Sequence, residues 1–202
     1  MKLQKFAKLA QRTGLCEAYG DPEGGMILSC GRAVFPAQEL PAAASEEQLR
    51  AMLDIAPEKW DKIVCRMLPR EDFLSGGVSL LGNEDGDEPL EPLEFFGQYE
   101  SAAYDRVMRT KTGRMVFLDG SLLAPVLDEI RKSDYISYVL RRMRSGAAYV
   151  VVKNGFSEIL AALMPVDVYM RAYCQRLAEL ESLCTAELAR LEAEGTGVAP
   201  RG

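Results

Sequence analysis

The sequence predicts an α+β protein, antiparallel sheets with packed helices, and three observations carry that expectation. A segment of helical period opens the chain. Short β-rich segments separated by Gly, Pro and Asn follow it. After residue 120 a second helical segment is again followed by three β-rich ones, and a long amphipathic helix closes the pattern. Of the 202 residues 48% are hydrophobic, enough to bury a core without disulfide or metal staples.

Residues 2–13 place Leu3, Phe6, Ala7 and Ala10 on one helical face with lysines opposite, and Gly14 stands where a left-handed cap ends the helix. Residues 15–19 and 26–30 read as strands joined by the turn Asp21-Pro22-Glu23-Gly24-Gly25, and Ala33-Val34-Phe35 as an extended piece running into Pro36. An Ala/Pro-rich connector over 36–44 leads to Ser45-Glu46-Glu47-Gln48. This is a capping box, in which the serine caps the amide three residues on and the glutamine reaches back. The short helix behind it carries Leu49, Met52 and Leu53; residues 63–68 then read as a strand, with Trp60 as a core anchor at the corner.

Residues 71–100 hold nine acids and no lysine or arginine, with glycine and proline throughout, and predict a solvated loop or weak hairpin bulging from the domain. Residues 104–109 and 114–118 form a hairpin around Lys111-Thr112-Gly113. A helix over 121–132 carries Leu122, Leu123, Val126, Leu127 and Ile130. Three strands follow: Ile136, Tyr138 and Leu140 alternate, 147–152 is β-rich, and 159–164 is continuously apolar. Gly146 and Asn154-Gly155 supply the turns. Pro165 starts a helix over 166–194, with Met170, Tyr173, Leu177, Leu180 and Cys184 at steps of three and four residues. Leu188 and Leu191 extend this stripe after a one-residue slip. Such a stripe packs on its own chain or pairs with a partner helix. The organisation expected is one domain over 1–165, a C-terminal amphipathic helix over 166–194, and a tail over 195–202.

Composition narrows the function. The chain has no histidine, which removes Ser-His-Asp and Cys-His catalysis and most zinc sites. Five scattered cysteines (Cys16, Cys30, Cys65, Cys174, Cys184) form no C-x-x-C pair and read as reduced thiols. Apolar runs never reach membrane-spanning length, and lysines interrupt the first helix, so no membrane partner and a cytoplasmic location are expected. The expectation is a protein that is not an enzyme and carries no cofactor.

Two charged constellations remain. Counted from Asn83, oxygen ligands fall at the first, third, fifth and twelfth positions of a calcium-type loop: Asn83, Asp85, Asp87 and Glu94. Glu88 stands where that loop needs glycine, and Pro89 and Pro92 stiffen it; the other reading is an acidic solubilising loop. Between residues 104 and 144, nine basic residues face five acids. Arg106, Arg109, Lys111, Arg114, Arg131, Lys132, Arg141, Arg142 and Arg144 would track a phosphate backbone if they shared one face. They would line a solvated face, or pair with the acidic segment, if they did not. Acidic 71–100 and basic 106–144 are consecutive and opposite, so mutual neutralisation is the competing expectation.

Met115-Val116-Phe117-Leu118-Asp119-Gly120-Ser121-Leu122-Leu123-Ala124-Pro125-Val126-Leu127, then the strands ending in Ala161-Ala162-Leu163-Met164-Pro165-Val166, resembles the closing half of a bacterial DNA polymerase sliding-clamp domain. There a strand leads into a helix with paired leucines, then three antiparallel strands, the last ending in Met-Pro. The first half is more loosely similar, with a helix, short strands and Ala33-Val34-Phe35-Pro36-Ala37. The resemblance implies a clamp-like pseudo-repeat of helix plus strands; a ring would need several copies, and the C-terminal helix departs from the pattern. The chain also looks like prophage-encoded proteins of Gram-positive bacteria.

The function expected is therefore that of a non-enzymatic phage or mobile-element protein with a clamp-like domain, binding a protein partner or DNA. The alternatives are a self-assembling structural protein, paired through the C-terminal helix, and a divalent-metal carboxylate enzyme.

Overall fold

The first helix, α1 (Leu3–Thr13), buries Phe6, Ala7, Leu9 and Ala10, and ends where Gly14, at φ 70°, returns its N–H to the Ala10 carbonyl at 2.8 Å. The computed structural model describes residues 1–21, 25–99, 102–155, 157–166 and 171–194, without the side chains of 21, 94–99, 102–105 and 171–174. Most of the turn expected at 21–25, Met170 and the tail 195–202 lie outside the described residues. The chain divides into two compact units, Met1–Val166 and Asp167–Gly202.

In the first unit α1 is followed by β1 (Leu15–Asp21), β2 (Gly25–Ser29) and β3 (Ala33–Ala37). Next come α2 (Glu46–Met52), the single turn α3 (Pro57–Trp60), β4 (Val64–Pro69) and α4 (Arg70–Ser75). Ser45 caps α2 through the Gln48 N–H, while the Gln48 side chain accepts from the Ala44 N–H at 2.7 Å, one residue earlier than a capping box prescribes. Trp60 is buried at its corner, as expected.

The second half holds β5 (Glu88–Tyr99), β6 (Ala102–Thr110), β7 (Met115–Leu118), a 3-10 helix (Gly120–Val126), α5 (Leu127–Lys132), β8 (Ile136–Arg142), β9 (Ala148–Asn154) and β10 (Glu158–Leu163). Two expectations are corrected. The acidic stretch is not a loop throughout: it supplies most of α4 and a twelve-residue strand, because β5 has partners on both edges, β6 and β8. The helix expected over 121–132 is split. Pro125 has no N–H to give, so the first half winds as 3-10 and only the second as α.

Among the described residues ten strands form one sheet in the order β4-β1-β2-β3-β10-β9-β8-β5-β6-β7, antiparallel throughout except for β1 with β4. Its middle is a pseudo-repeat. α1 with β1–β3, and α5 with β8–β10, are each a helix followed by three antiparallel strands, and the two triplets join edge to edge through β3 and β10. Past β10 the Val166 N–H donates to the Phe117 carbonyl at 2.8 Å, so the strands from β10 to β7 curl until β7 meets the chain leaving β10.

Alternation along the strands sends apolar side chains to both faces. One face holds the larger core, where Phe6, Ala10, Leu122 and Val126 from the helical layer meet Leu28, Phe35, Val150, Val152 and Leu163. Phe6 and Phe35 touch edge to face with ring centroids 5.8 Å apart. On the other face, Ile27, Val139, Tyr149 and Val151 are covered by Phe73 of α4 and Val78. Full burial of each such side chain contributes about 1.5–3 kcal/mol.

The second unit contains α6 (Arg171–Ala193), 23 residues long. No described helix is long and apolar enough to cross a membrane.

Candidate functional site

Between α4 and β5 the chain runs as a strap over residues 76–87, laid across the sheet face opposite the helices. What holds it is the buried guanidinium of Arg141 on β8. Arg141 donates through Nη1 to the carbonyls of Leu81 (2.7 Å) and Ser79 (3.3 Å), and through Nη2 to that of Gly82 (3.2 Å). It meets the Asp87 carboxylate twice, Nε to Oδ1 at 2.5 Å and Nη2 to Oδ2 at 3.0 Å. From β9, Lys153 Nζ adds Asp87 Oδ2 (3.1 Å) and Asn83 Oδ1 (3.0 Å), and the Tyr149 hydroxyl accepts from the Ser79 N–H at 3.0 Å. Burial pushes the Asp87 carboxyl up, but the hydrogen bonds and charges of Arg141 and Lys153 outweigh it and hold it below its ordinary value.

This cluster changes two expectations. Arg141 belongs to the interior and offers nothing to a phosphate backbone. Asn83 and Asp87, expected as cation ligands, already direct their oxygens at Lys153 and Arg141, so the charge a metal would supply comes from the protein's own cations. Asp85 is exposed, the Glu94 side chain lies outside the described residues, and among the described residues no three Cys, Asp or Glu gather to hold a metal.

The remaining arginines and lysines do not form one patch. Arg106 reaches the Tyr138 hydroxyl from β6, and Arg109 pairs with Glu91 across the β5–β6 ladder at 2.8 Å. That is the neutralisation which the consecutive opposite charges predict. Lys111 and Arg114 stand exposed at the β6–β7 turn; Arg142 and Arg144 lie at the strap face; Arg131 and Lys132 end α5 in the helical layer, against the opposite face of the sheet.

That helical layer carries a basic face which the sequence reading passed over. Lys2, Lys5, Lys8 and Arg12 recur at steps of three and four residues, and all are exposed. The signal was present as the lysines opposite the apolar stripe of α1. Lys2 pairs with Asp128, the N-terminal amine with Glu129 at 2.9 Å, and Arg12 with Asp119 at 3.5 Å. These contacts set α1 alongside the 3-10 helix and α5 in the opposite direction. Among the described residues, Lys5, Lys8, Arg131 and Lys132 have no ion-pair partner. The hydrogen bond from Lys2 and the Lys2 charge, with those of Lys132 and Arg131, hold the Asp128 carboxyl below its ordinary value.

On the strap face, a groove of about 520 Å³ is floored by Met26, Ile27, Phe73 and Val78, with Arg142 and Arg144 among its lining residues and exposed Leu74 and Leu81 at its lips. Three thiols of the first unit, Cys16, Cys30 and Cys65, are not ready nucleophiles. Burial pushes Cys16 up to about 12 and Cys65 up to about 11, and raises Cys30. In the second unit, Leu180, Leu183, Cys184 and Leu188 are exposed along α6, and Leu177 and Leu191 are half-buried. The Tyr173 side chain lies outside the described residues.

Comparison with known proteins gives no match to a family model, to a curated protein or to a solved structure.

Proposed function

We propose that this chain is a non-enzymatic binding protein of a phage or mobile element, whose clamp-like domain lies with its helical layer along a nucleic-acid backbone. The observation that carries the reading is the exposed row Lys2, Lys5, Lys8 and Arg12 on α1, in one layer with Arg131 and Lys132 of α5. Cations spaced along helix surfaces meet phosphates without reading bases, so the binding is indifferent to sequence and weakens with salt. The net charge of −6 does not oppose it. In the strap and β5, Asp87 and Glu91 are paired to Arg141, Lys153 and Arg109. The pseudo-repeat, with both helices on one face of six central strands, supports the clamp-like reading.

The test is binding of a short duplex DNA across a salt series. The intact chain binds at low salt, and Lys5→Glu with Lys8→Glu lowers affinity and reduces the salt slope by about two. Affinity that ignores salt, or that survives the double substitution, overturns the reading.

The strap-face groove favours a second reading, a partner protein that inserts an acidic segment with apolar anchors between Leu74, Leu81, Arg142 and Arg144. Leu74→Asp with Leu81→Asp would then abolish partner capture and leave DNA affinity unchanged.

A further inference from the structure

We infer that α6 is the two-stranded interface through which this chain pairs, in parallel, with a second copy of itself. The inference does not rest on nucleic-acid binding, and it begins from what a single helix lacks. α6 is the only regular element described in its unit, about 35 Å long. Most of the stability of a helix in a protein comes from packing an apolar face, and nothing else in this unit is described for it to pack on. The face exists and is exposed, with Leu180 51% and Leu188 57% accessible.

The spacing of the stripe says what covers it. Leu177, Leu180, Cys184, Leu188 and Leu191 follow steps of three, four, four and three residues. Leu177 and Leu188, and again Leu180 and Leu191, stand eleven residues apart. An eleven-residue period closes on three turns of helix, so the stripe runs almost straight along α6 and suits a pair of nearly straight helices. In a parallel pair each layer meets its own copy, leucine on leucine, with the smaller Cys184 facing Cys184 at the centre.

The flanks choose the partner and its direction. Arg176 precedes the first leucine of the stripe and Glu181 follows the second. In a parallel two-stranded pair these positions lie across the interface from one another, so Arg176 of each copy meets Glu181 of the other, twice by symmetry. Further along, the matching positions hold Glu187 and Glu192, and Arg190, tied to Glu187 and Glu194 of its own helix at 2.6 Å each, offsets the Glu187 charge there. A stripe that meets its own copy layer on layer, with Arg176 and Glu181 complementary across its first layers, selects a second copy.

The experiment uses the full chain. Its mass in solution is measured by light scattering over a concentration series, beside Leu180→Asp with Leu188→Asp, and Arg176→Glu alone and combined with Glu181→Arg. Unfolding of the domain is followed in each. The intact chain is dimeric; the leucine pair gives a monomer with the domain transition unmoved. Arg176→Glu weakens the dimer roughly tenfold, and the charge swap restores it. Mild oxidation of the unsubstituted protein joins Cys184 to Cys184, which reads the register without altering a leucine. A monomer throughout, a dimer that survives the leucine substitutions, a charge swap that fails to restore affinity, or a dimer whose Cys184 thiols do not join overturns the inference.

Discussion

Arg141 closes a two-point contact with Asp87, Nε to Oδ1 at 2.5 Å and Nη2 to Oδ2 at 3.0 Å, and the same guanidinium holds three carbonyls of the strap. One side chain thereby fixes a twelve-residue segment that has no helix or strand of its own between α4 and β5. Because the strap covers Val139, Tyr149 and Val151, this polar contact also decides whether the second core stays dry.

Removing one partner leaves the other charged and buried. Asp87→Ala strands Arg141 and Lys153 together, and is expected to destabilise the domain by about 3–5 kcal/mol in urea unfolding. The exposed Arg109–Glu91 pair is the control: Glu91→Ala changes stability by about 1 kcal/mol or less.

Acid acts on the same residue. The folded carboxyl of Asp87 lies below its ordinary 3.8. The unfolded chain therefore takes up a proton first, and the contribution of Asp87 is complete above that ordinary value and lost as pH falls through the folded one. Urea midpoints measured from pH 6 to pH 2 should show an acid limb that is shallower in Asp87→Asn.

Gly82 brings the strap against the β9–β10 turn at Ser157. A Cβ placed there would lie 2.7 Å from both Cα and the carbonyl oxygen of Ser157, backbone that cannot swing aside. Gly82→Ala should cost about 1–3 kcal/mol, and should raise amide exchange at Ser79, whose N–H is held by Tyr149.

The exposed face of α1 makes the opposite prediction. Lys5 and Lys8 are exposed and have no ion-pair partner among the described residues, so changing both to glutamate should leave the unfolding free energy measured in urea within about 0.5 kcal/mol of the unsubstituted protein. The same substitutions are those expected to remove duplex binding.

The sequence by itself determined the local elements. The spacing of Phe6, Ala7 and Ala10 sets the buried face of α1, Gly14 stops it, Ser45 caps α2, and the β-rich runs after residue 135 become β8, β9 and β10. Each follows from contacts within a few residues. Composition likewise removed histidine chemistry without a structure. Only the tertiary structure decided what the charges do. Arg141 and Arg142 are neighbours in sequence, but the strap covers one and leaves the other, the last residue of β8, exposed. Asp87 reads as a calcium ligand until Arg141 and Lys153, more than fifty residues away, are folded against it. Residues 71–100 read as a loop because their acids look solvated; β6 and β8 supply the hydrogen bonds and cations that make a strand of their second half. Ion pairs and sheet edges join residues distant in sequence, and no local pattern encodes them. The lysines of α1 were visible from the start, and became a candidate interface only when packing set α1 beside α5.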